Sequence, residues 1–241
     1  MKFISLSLIL VFLVGIAGRC NAMDADSTAM FHGAQKAFAA CTGLQGVNIV
    51  DDGHVVCLRG HIDPTMFVSL LKLKDKIKKK PYVIVSGPGG YIDSSVYIVQ
   101  MLDGYDPVPV VGDMCASGCA QFLILMGRHR VFLHCADVAM HSGYSTVQAV
   151  LAQNYSDEVT QRSVAMISQF KEFYHERHIS MDMVTKPPAD IQKRLNAGEV
   201  VFWPWSINKL RSFGVEGIVS ENGPDDVVPS DYAKSCLADN G

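Results

Sequence analysis

Short apolar runs alternate with longer amphipathic segments along the chain. The runs are rich in valine and isoleucine and predict buried strands over 46–50, 54–60, 81–87, 108–114, 129–134 and 137–141. Apolar residues at near-helical spacing predict helices over 63–80, 91–105 and 118–127. This β-α-β-α-β order predicts an α/β fold with a mainly parallel sheet. Further on, the pattern predicts a long helix across roughly 145–178, then a strand, a short helix and a strand within 200–219.

The first 22 residues differ in character from the rest of the chain. Lys2 precedes an uncharged apolar run over 3–18, and the small Ala22 closes the segment. This order predicts a secretory signal peptide that is cleaved near Ala22, which leaves 23–241 as a single domain. We therefore expect a periplasmic or secreted protein with no stable membrane anchor after cleavage.

Two alternatives for this segment are less favoured. A membrane anchor needs about 20 apolar residues, and the run is shorter. Lipid attachment at Cys20 usually follows a small residue, whereas Arg19 stands in that position.

The composition narrows the possible partners. The formal net charge is −3, and the one basic cluster, at 71–80, alternates with apolar residues as the solvated face of a helix does. This balance argues against nucleic acid as a partner. It also makes a membrane-surface role for the cluster the less favoured interpretation.

Removal of Cys20 with the signal segment leaves an even set of six cysteines, namely Cys41, Cys57, Cys115, Cys119, Cys135 and Cys236. An even number in an exported chain indicates disulfides. We expect Cys41 and Cys57 to be bridged, because they flank a predicted hairpin. We expect Cys115 and Cys119 not to pair with each other, because the intervening turn should hold their Cβ atoms apart, and one of them to reach Cys135. A zinc site with His134 is the alternative, but the spacing matches no common zinc pattern.

Three features with chemical potential fall where predicted strands end. The glycine-rich SGPGG segment (86–90) allows a tight turn with exposed backbone amides. Ser117 lies between a strand and a helix, so the Gly118 amide points into the space above its hydroxyl. His141 ends a later strand, and parallel strands would bring it to the same sheet edge. A neutral imidazole there can take the serine proton and return it to a leaving amine. Each feature alone is more often structural: a turn, a helix cap or a satisfied histidine.

The blocks VVCLRGHID, VIVSGPGGYIDSSVYIVQML, VPVVGDMCASGCAQFLILMG and DVAMHSG resemble, in order and spacing, those of the Clp protease proteolytic subunit family. The resemblance covers roughly residues 54 to 220. It implies a ClpP/crotonase-like repeated β-β-α spiral without a cofactor, and a protruding handle helix at about 145–178 through which subunits form a homo-oligomer. It also implies Ser117 as nucleophile, His141 as general base, and Gly90 and Gly118 as the oxyanion-hole amides.

The acid that would complete a triad is poorly matched in the sequence. Asp190 has about the expected separation from His141 and is the favoured choice, while Glu199 and Asp182 remain open. The signal segment is a further departure, because an exported chain has no ATP with which an unfoldase partner could work. The resemblance therefore implies an exported, ATP-independent serine endopeptidase of peptides or unfolded proteins, without an ATPase partner.

Other functions remain possible at this stage. A catalytically inactive Clp-like scaffold or peptide-binding protein is the main alternative. A Ser-Lys peptidase would need a lysine buried beside Ser117, but the lysines cluster at 72–80. Acyl-CoA chemistry of the crotonase type is disfavoured by export from the compartment that contains CoA.

Overall fold

The computed structural model describes residues 23–141, 157–199 and 201–220. The predicted signal peptide, the first part of the predicted handle helix and Cys236 lie outside these ranges. Within them, no helix has both the length and the apolar character that crossing a membrane would require.

The described residues form a mixed α/β structure. Its strands are β1 (Gly46–Val50), β2 (Val55–Ile62), β3 (Tyr82–Gly90), β4 (Val108–Val111), β5 (Met114–Ala116), β6 (Arg130–Phe132), β7 (Asp137–His141), β8 (Phe202–Pro204) and β9 (Ile218–Ser220). Its helices are α1 (Ala25–Ala40), α2 (Pro64–Leu73), α3 (Ile92–Asp103), α4 (Gly118–Gln121), α5 (Asp157–Glu176), α6 (Asp182–Thr185), α7 (Ala189–Asn196) and α8 (Ile207–Ser212).

Strand β3 is the branch point of the sheet, whose order is β8-β7-β5-β3-β4-β6-β9, with β2 also on β3 and β1 on β2. The first part of β3 pairs with β4, and Gly87 near its end pairs with Cys115 of β5. The β1–β2 and β7–β8 pairings are antiparallel, and the other pairings among the described strands are parallel. The carboxyl ends of β3, β5 and β7 therefore meet at one edge.

Two apolar layers cover the sheet. The larger core packs α2, α3 and α5 on one face, with Leu70, Leu102 and Phe173 among its buried side chains. A smaller core lies between α1 and the sheet and includes Phe31 and Ile84. Helix α1 was not among the elements that the sequence predicted.

The predicted disulfide between Cys41 and Cys57 is present and lies in the smaller core, with a Cα–Cα distance of 5.7 Å. It joins the end of α1 to β2.

The segment that follows Ser117 differs from its prediction. Instead of one helix over 118–127, α4 forms a single turn and a 3-10 turn follows at Leu123–Leu125. The preceding strand is also divided, because β4 ends at Val111 and β5 begins at Met114. The residues over 118–126 are all buried, so tertiary packing sets their conformation more strongly than helical propensity does.

Candidate active site

Ser117 lies in a sharp turn between β5 and α4. Its backbone has φ 53° and ψ −123°, which is rare for a residue with a side chain and costs on the order of 1–3 kcal/mol. The Ser117 N–H donates to the Ala139 carbonyl at 2.9 Å, and the Gln121 N–H donates to the Ser117 carbonyl at 2.8 Å. The turn presents the serine side chain at the carboxyl edge of the sheet.

His141 reaches the same place from the end of β7. Strands β5 and β7 run parallel, with Ala116 opposite Ala139, so the two chain ends lie side by side. The Ser117 Oγ and the His141 Nε2 are 2.6 Å apart, which is a hydrogen-bond distance. The structure thus brings together two residues that are 24 positions apart in the sequence. When the imidazole carries its proton on Nδ1, Nε2 accepts the serine proton.

The surroundings of His141 favour its neutral form. Burial lowers the pKa of the imidazole from its ordinary value of 6.5. The Phe202 ring of β8 lies with its centroid 5.4 Å from that of the imidazole, and the side chain is 49% exposed. A neutral imidazole is the form that can act as a general base at neutral pH.

Gln121 fixes the His141 backbone from α4. Its side-chain Nε2 donates to the His141 backbone carbonyl at 2.8 Å. Its backbone carbonyl accepts from the Tyr174 hydroxyl at 2.9 Å. Tyr174 belongs to α5 and is fully buried. The end of β7 is therefore linked through α4 to the long helix.

The glycines predicted to supply an oxyanion hole, Gly90 and Gly118, lie next to each other beside Ser117. A Cβ placed on Gly118 would stand 3.4 Å from the Gly90 nitrogen, and both glycines line one cavity. Gly118 opens α4, so its N–H has no carbonyl partner within that helix. Gly89 has φ 90°, and a Cβ there would lie 2.5 Å from the Ser117 Cβ, so only glycine fits.

A cavity of about 400 Å³ opens over Ser117 and His141. Polar, charged and apolar groups face it, among them His61, Tyr91, Asp93, Gln121, Arg162 and Met166. Arg162 and Met166 come from α5, so the long helix forms one wall. The volume is in the range of ligand-binding pockets in proteins.

The three candidate acids lie elsewhere. Asp190 is exposed in the first turn of α7, and within the described residues it makes no side-chain hydrogen bond to His141. Glu199 accepts from Arg194 at 2.8 Å, and Asp182 pairs with Lys186 at 3.0 Å. Among the described residues, none of the three makes a hydrogen bond or ion pair with the imidazole.

The expectation that Cys115 and Cys119 would not pair is wrong. They form a disulfide with a Cα–Cα distance of 5.2 Å, so neither is available to Cys135. The prediction assumed that the intervening turn would keep the two Cβ atoms apart. Instead, the left-handed φ of Ser117 reverses the chain between strand and helix and brings the two cysteines together.

Sequence reasoning did not identify Gln121 and Phe202 as site residues. Gln121 is the only polar side chain in the apolar stretch 118–126, which is a signal that a sequence reader can use. Phe202 belongs to the FWPW segment, for which a core role is the natural expectation. Trp203 meets that expectation, but the alternation of a strand turns Phe202 outward, beside His141.

Among the described residues, no group of three or more His, Cys, Asp or Glu side chains is arranged to hold a metal ion.

Matches to known proteins come from structure and not from sequence. No protein-family model and no curated protein matches the chain. Among solved structures, the chain is similar to a mutant of ClpP1 from Listeria monocytogenes, at 14% sequence identity and a TM-score of 0.44, over 76% of this chain and 95% of that one.

Proposed function

We propose that this protein is an exported serine endopeptidase that hydrolyses peptides or already unfolded proteins without an ATPase partner. The observation that carries the proposal is the 2.6 Å contact between Ser117 Oγ and His141 Nε2, at the floor of a cavity also lined by Gly90 and Gly118. A nucleophile, a neutral base and two adjacent backbone amides are the parts that acyl transfer needs.

The reaction follows from these parts. His141 Nε2 takes the Ser117 proton as Oγ attacks the peptide carbonyl carbon. The negative charge that develops on the carbonyl oxygen is stabilised by the N–H groups of Gly90 and Gly118. The intermediate collapses when the C–N bond breaks, and the imidazolium gives its proton to the leaving amine. Water then attacks the acyl-enzyme with His141 again as base, which releases the acid product and restores Ser117.

Asp190 is the proposed third member of the triad, with Glu199 and Asp182 as rivals. Asp190 would act by accepting a hydrogen bond from Nδ1 and so keeping the imidazole in the required tautomer. Because Asp190 is exposed and makes no hydrogen bond to His141 in this conformation, this role requires the contact to form when substrate or another subunit binds. Loss of activity in Asp190→Asn, but not in Glu199→Gln or Asp182→Asn, is the expected result.

The substrate class follows from the site and from the proposed export. The cavity is open to solvent and takes a short stretch of extended chain, not a folded domain. With no ATP available outside the cytoplasm, an unfoldase cannot prepare the substrate. Short peptides and unfolded chains are therefore the proposed substrates.

The proposed assembly is a homo-oligomer that forms through the predicted handle helix, whose range of about 145–178 includes α5. Exposed Val164 on this helix is 49% accessible and is available for such a contact. Sedimentation of the protein with Val164→Glu should show smaller particles than the wild type.

The second candidate function is a catalytically inactive scaffold or peptide-binding protein. One observation favours it, namely that none of Asp190, Glu199 and Asp182 makes a hydrogen bond or ion pair with His141 in this conformation. A scaffold would use the same cavity to hold a peptide without cleaving it.

The test is labelling of the mature protein by a fluorescent fluorophosphonate. Wild type should be labelled, whereas Ser117→Ala and His141→Ala should not, because the first lacks the nucleophile and the second the base. Ser212→Ala and His175→Ala are matched controls that do not line the cavity, and they should be labelled like wild type. A folded wild-type protein that stays unlabelled between pH 6 and 9 would leave the scaffold as the working answer.

A further inference from the structure

We infer that the Cys115–Cys119 disulfide is a positioning element for Ser117: it holds the serine turn in the conformation that places Oγ against His141. The inference rests on the proposed function and gives Cys115 and Cys119 a role in positioning the nucleophile. Neither cysteine lines the cavity, so they act through Ser117 and not on the substrate.

The Ser117 turn needs support from outside itself. Its φ of 53° and ψ of −123° lie outside the regions that residues with side chains prefer. Such a conformation persists only where the surrounding structure fixes it. Without a constraint, the turn would relax to an ordinary backbone conformation and the hydroxyl would turn away from Nε2.

The flanking secondary structure is too short to supply this constraint. Strand β5 has three residues and α4 has four, after which the chain changes to a 3-10 turn. A single helical turn is not stable alone, because nucleating a helix fixes several residues for one hydrogen bond. Ser117 itself makes two backbone hydrogen bonds, one from its N–H to the Ala139 carbonyl and one from the Gln121 N–H to its own carbonyl.

The disulfide joins the two sides of the turn. Cys115 is anchored in the sheet, opposite Gly87 of β3 and Val138 of β7. Cys119 is the second residue of α4. Both are at least 99% buried, so the covalent link is embedded in the main core. The bridge therefore fixes where the chain enters and leaves the turn, and leaves little freedom to Ser117 between them.

The first test compares two double variants. Cys115→Ala/Cys119→Ala removes the bridge at the turn, and Cys41→Ala/Cys57→Ala removes the bridge in the smaller core as a matched control. For a chromogenic peptide, we expect kcat of the first variant to fall about 100-fold with KM within twofold, since a misplacement of about 1 Å at a nucleophile has this effect. The fluorophosphonate labelling rate should fall by a similar factor. The control should keep kcat within threefold at a temperature well below its unfolding midpoint.

Equal losses of kcat in the two variants, or an unchanged kcat in the first, would overturn the inference. A loss that disappears when rates are corrected for the folded fraction, measured by circular dichroism in the same tube, would also overturn it.

A second measurement separates this inference from the proposed function, because it needs no activity. The imidazole resonances of His141 in nitrogen-15 NMR spectra report its contact with Ser117. In Cys115→Ala/Cys119→Ala they should move to the positions seen in Ser117→Ala. If they keep the wild-type positions, the turn is intact without the bridge and the inference is wrong. Failure of the wild-type protein to react with the fluorophosphonate would count against the proposed peptidase function but not against this inference.

If the alanine variant does not fold, chemical reduction replaces it. A water-soluble phosphine gives two electrons to the S–S bond, which takes up two protons to become two thiols, while the phosphine takes oxygen from water and becomes its oxide. Alkylation and mass spectrometry then identify the molecules reduced at Cys115–Cys119. These should lack labelling at Ser117, and a portion that is reoxidised before alkylation should regain it, whereas full labelling of the reduced molecules would contradict the inference.

Discussion

The two disulfides with both cysteines among the described residues, Cys41–Cys57 and Cys115–Cys119, are alike in chemistry and burial but differ in what they enclose. Cys41 and Cys57 are 16 residues apart, whereas Cys115 and Cys119 are four apart. In the chain-entropy view, closing these loops stabilises the folded state by about 3 and about 2 kcal/mol, respectively. The longer loop contains a whole strand, β1, and the shorter one contains the serine turn.

This difference shows how one kind of crosslink can serve two purposes. The Cys41–Cys57 bridge fastens α1 to the sheet, far along the chain from Ser117, and its main effect is on the free energy of unfolding. The Cys115–Cys119 bridge gains less from loop closure but constrains three residues, one of which is the proposed nucleophile. We therefore expect the first region to tolerate small shifts of the backbone and the second not to.

The largest expected effect on the serine side of this comparison comes from Gly89→Ala. The new Cβ would lie 2.5 Å from the Ser117 Cβ and 2.6 Å from the Gly118 nitrogen, at a φ of 90°. The serine turn must shift, so kcat should fall at least about 100-fold in the peptide assay. Gly43→Ala, also at positive φ but with no atom within 4 Å of its Cβ, is the matched control for backbone strain. An active Gly89→Ala enzyme would show that the turn is less constrained than we infer.

On the other side of the comparison, Cys41→Ala/Cys57→Ala should lower the free energy of unfolding by about 3 kcal/mol. Urea denaturation followed by circular dichroism measures this. The corresponding loss for Cys115→Ala/Cys119→Ala should be smaller, because its loop is shorter. The reverse order of stability would remove the distinction between the two bridges.

A smaller effect is expected from Gln121→Met, which keeps the length of the side chain but removes the donor to the His141 carbonyl. An unsatisfied carbonyl at a buried site costs about 1–3 kcal/mol, and displacement of β7 should lower kcat about tenfold. Tyr174→Phe is the comparison variant, since it leaves the Gln121 side-chain amide in place and should lose less activity. Steady-state kinetics with a peptide substrate measures both, and an equal loss would assign the effect to the α5 contact instead.

The smallest expected effect is a shift of the pH profile in Phe202→Ala. Burial lowers the pKa of His141, so activity in wild type should fall on the acid side with a midpoint below 6.5. Removing the ring admits water and should raise this midpoint toward 6.5, which lowers the relative rate near pH 6 by a few-fold. The labelling rate from pH 5 to 8 measures the midpoint, and a downward shift would contradict the burial argument.

The same pKa direction has a consequence for stability. The unfolded chain binds the His141 proton more readily than the folded one. The favourable contribution of the neutral, buried imidazole is therefore present above pH 6.5 and is lost as the pH falls below it. This contribution should be absent in His141→Ala, which urea titrations at pH 5 and 7.5 measure.

The sequence predicted the parts of the site that depend on where strands end. Ser117 and His141 each follow an apolar run, and parallel pairing alone places such ends together. The Asp63 cap of α2 was also predictable, because its carboxylate and the following proline form a local signal, and its Oδ1 accepts from the Met66 N–H at 2.8 Å.

The parts that depend on tertiary packing were not predictable. The stretch 118–126 is buried on every side, so its residues carry no amphipathic pattern from which the end of α4 could be read. The Cys115–Cys119 pair depends on one left-handed residue, Ser117, which no propensity favours there. The position of Asp190 depends on how α7 packs, and spacing along the chain carries no information on that.

The glycines at the end of β3 have a consequence for how the sequence can evolve. Added Cβ atoms would meet the Gly60 oxygen at 2.1 Å from Gly87, and the Ile62 oxygen at 2.0 Å from Gly90. Gly89 is packed against Ser117 in the same way. The segment therefore requires residues without side chains. A saturation library selected for folding alone should already be depleted of every substitution at Gly87 and Gly90, whether or not the enzyme is assayed. Descendants that lose catalysis would therefore keep the glycines long after the serine has changed.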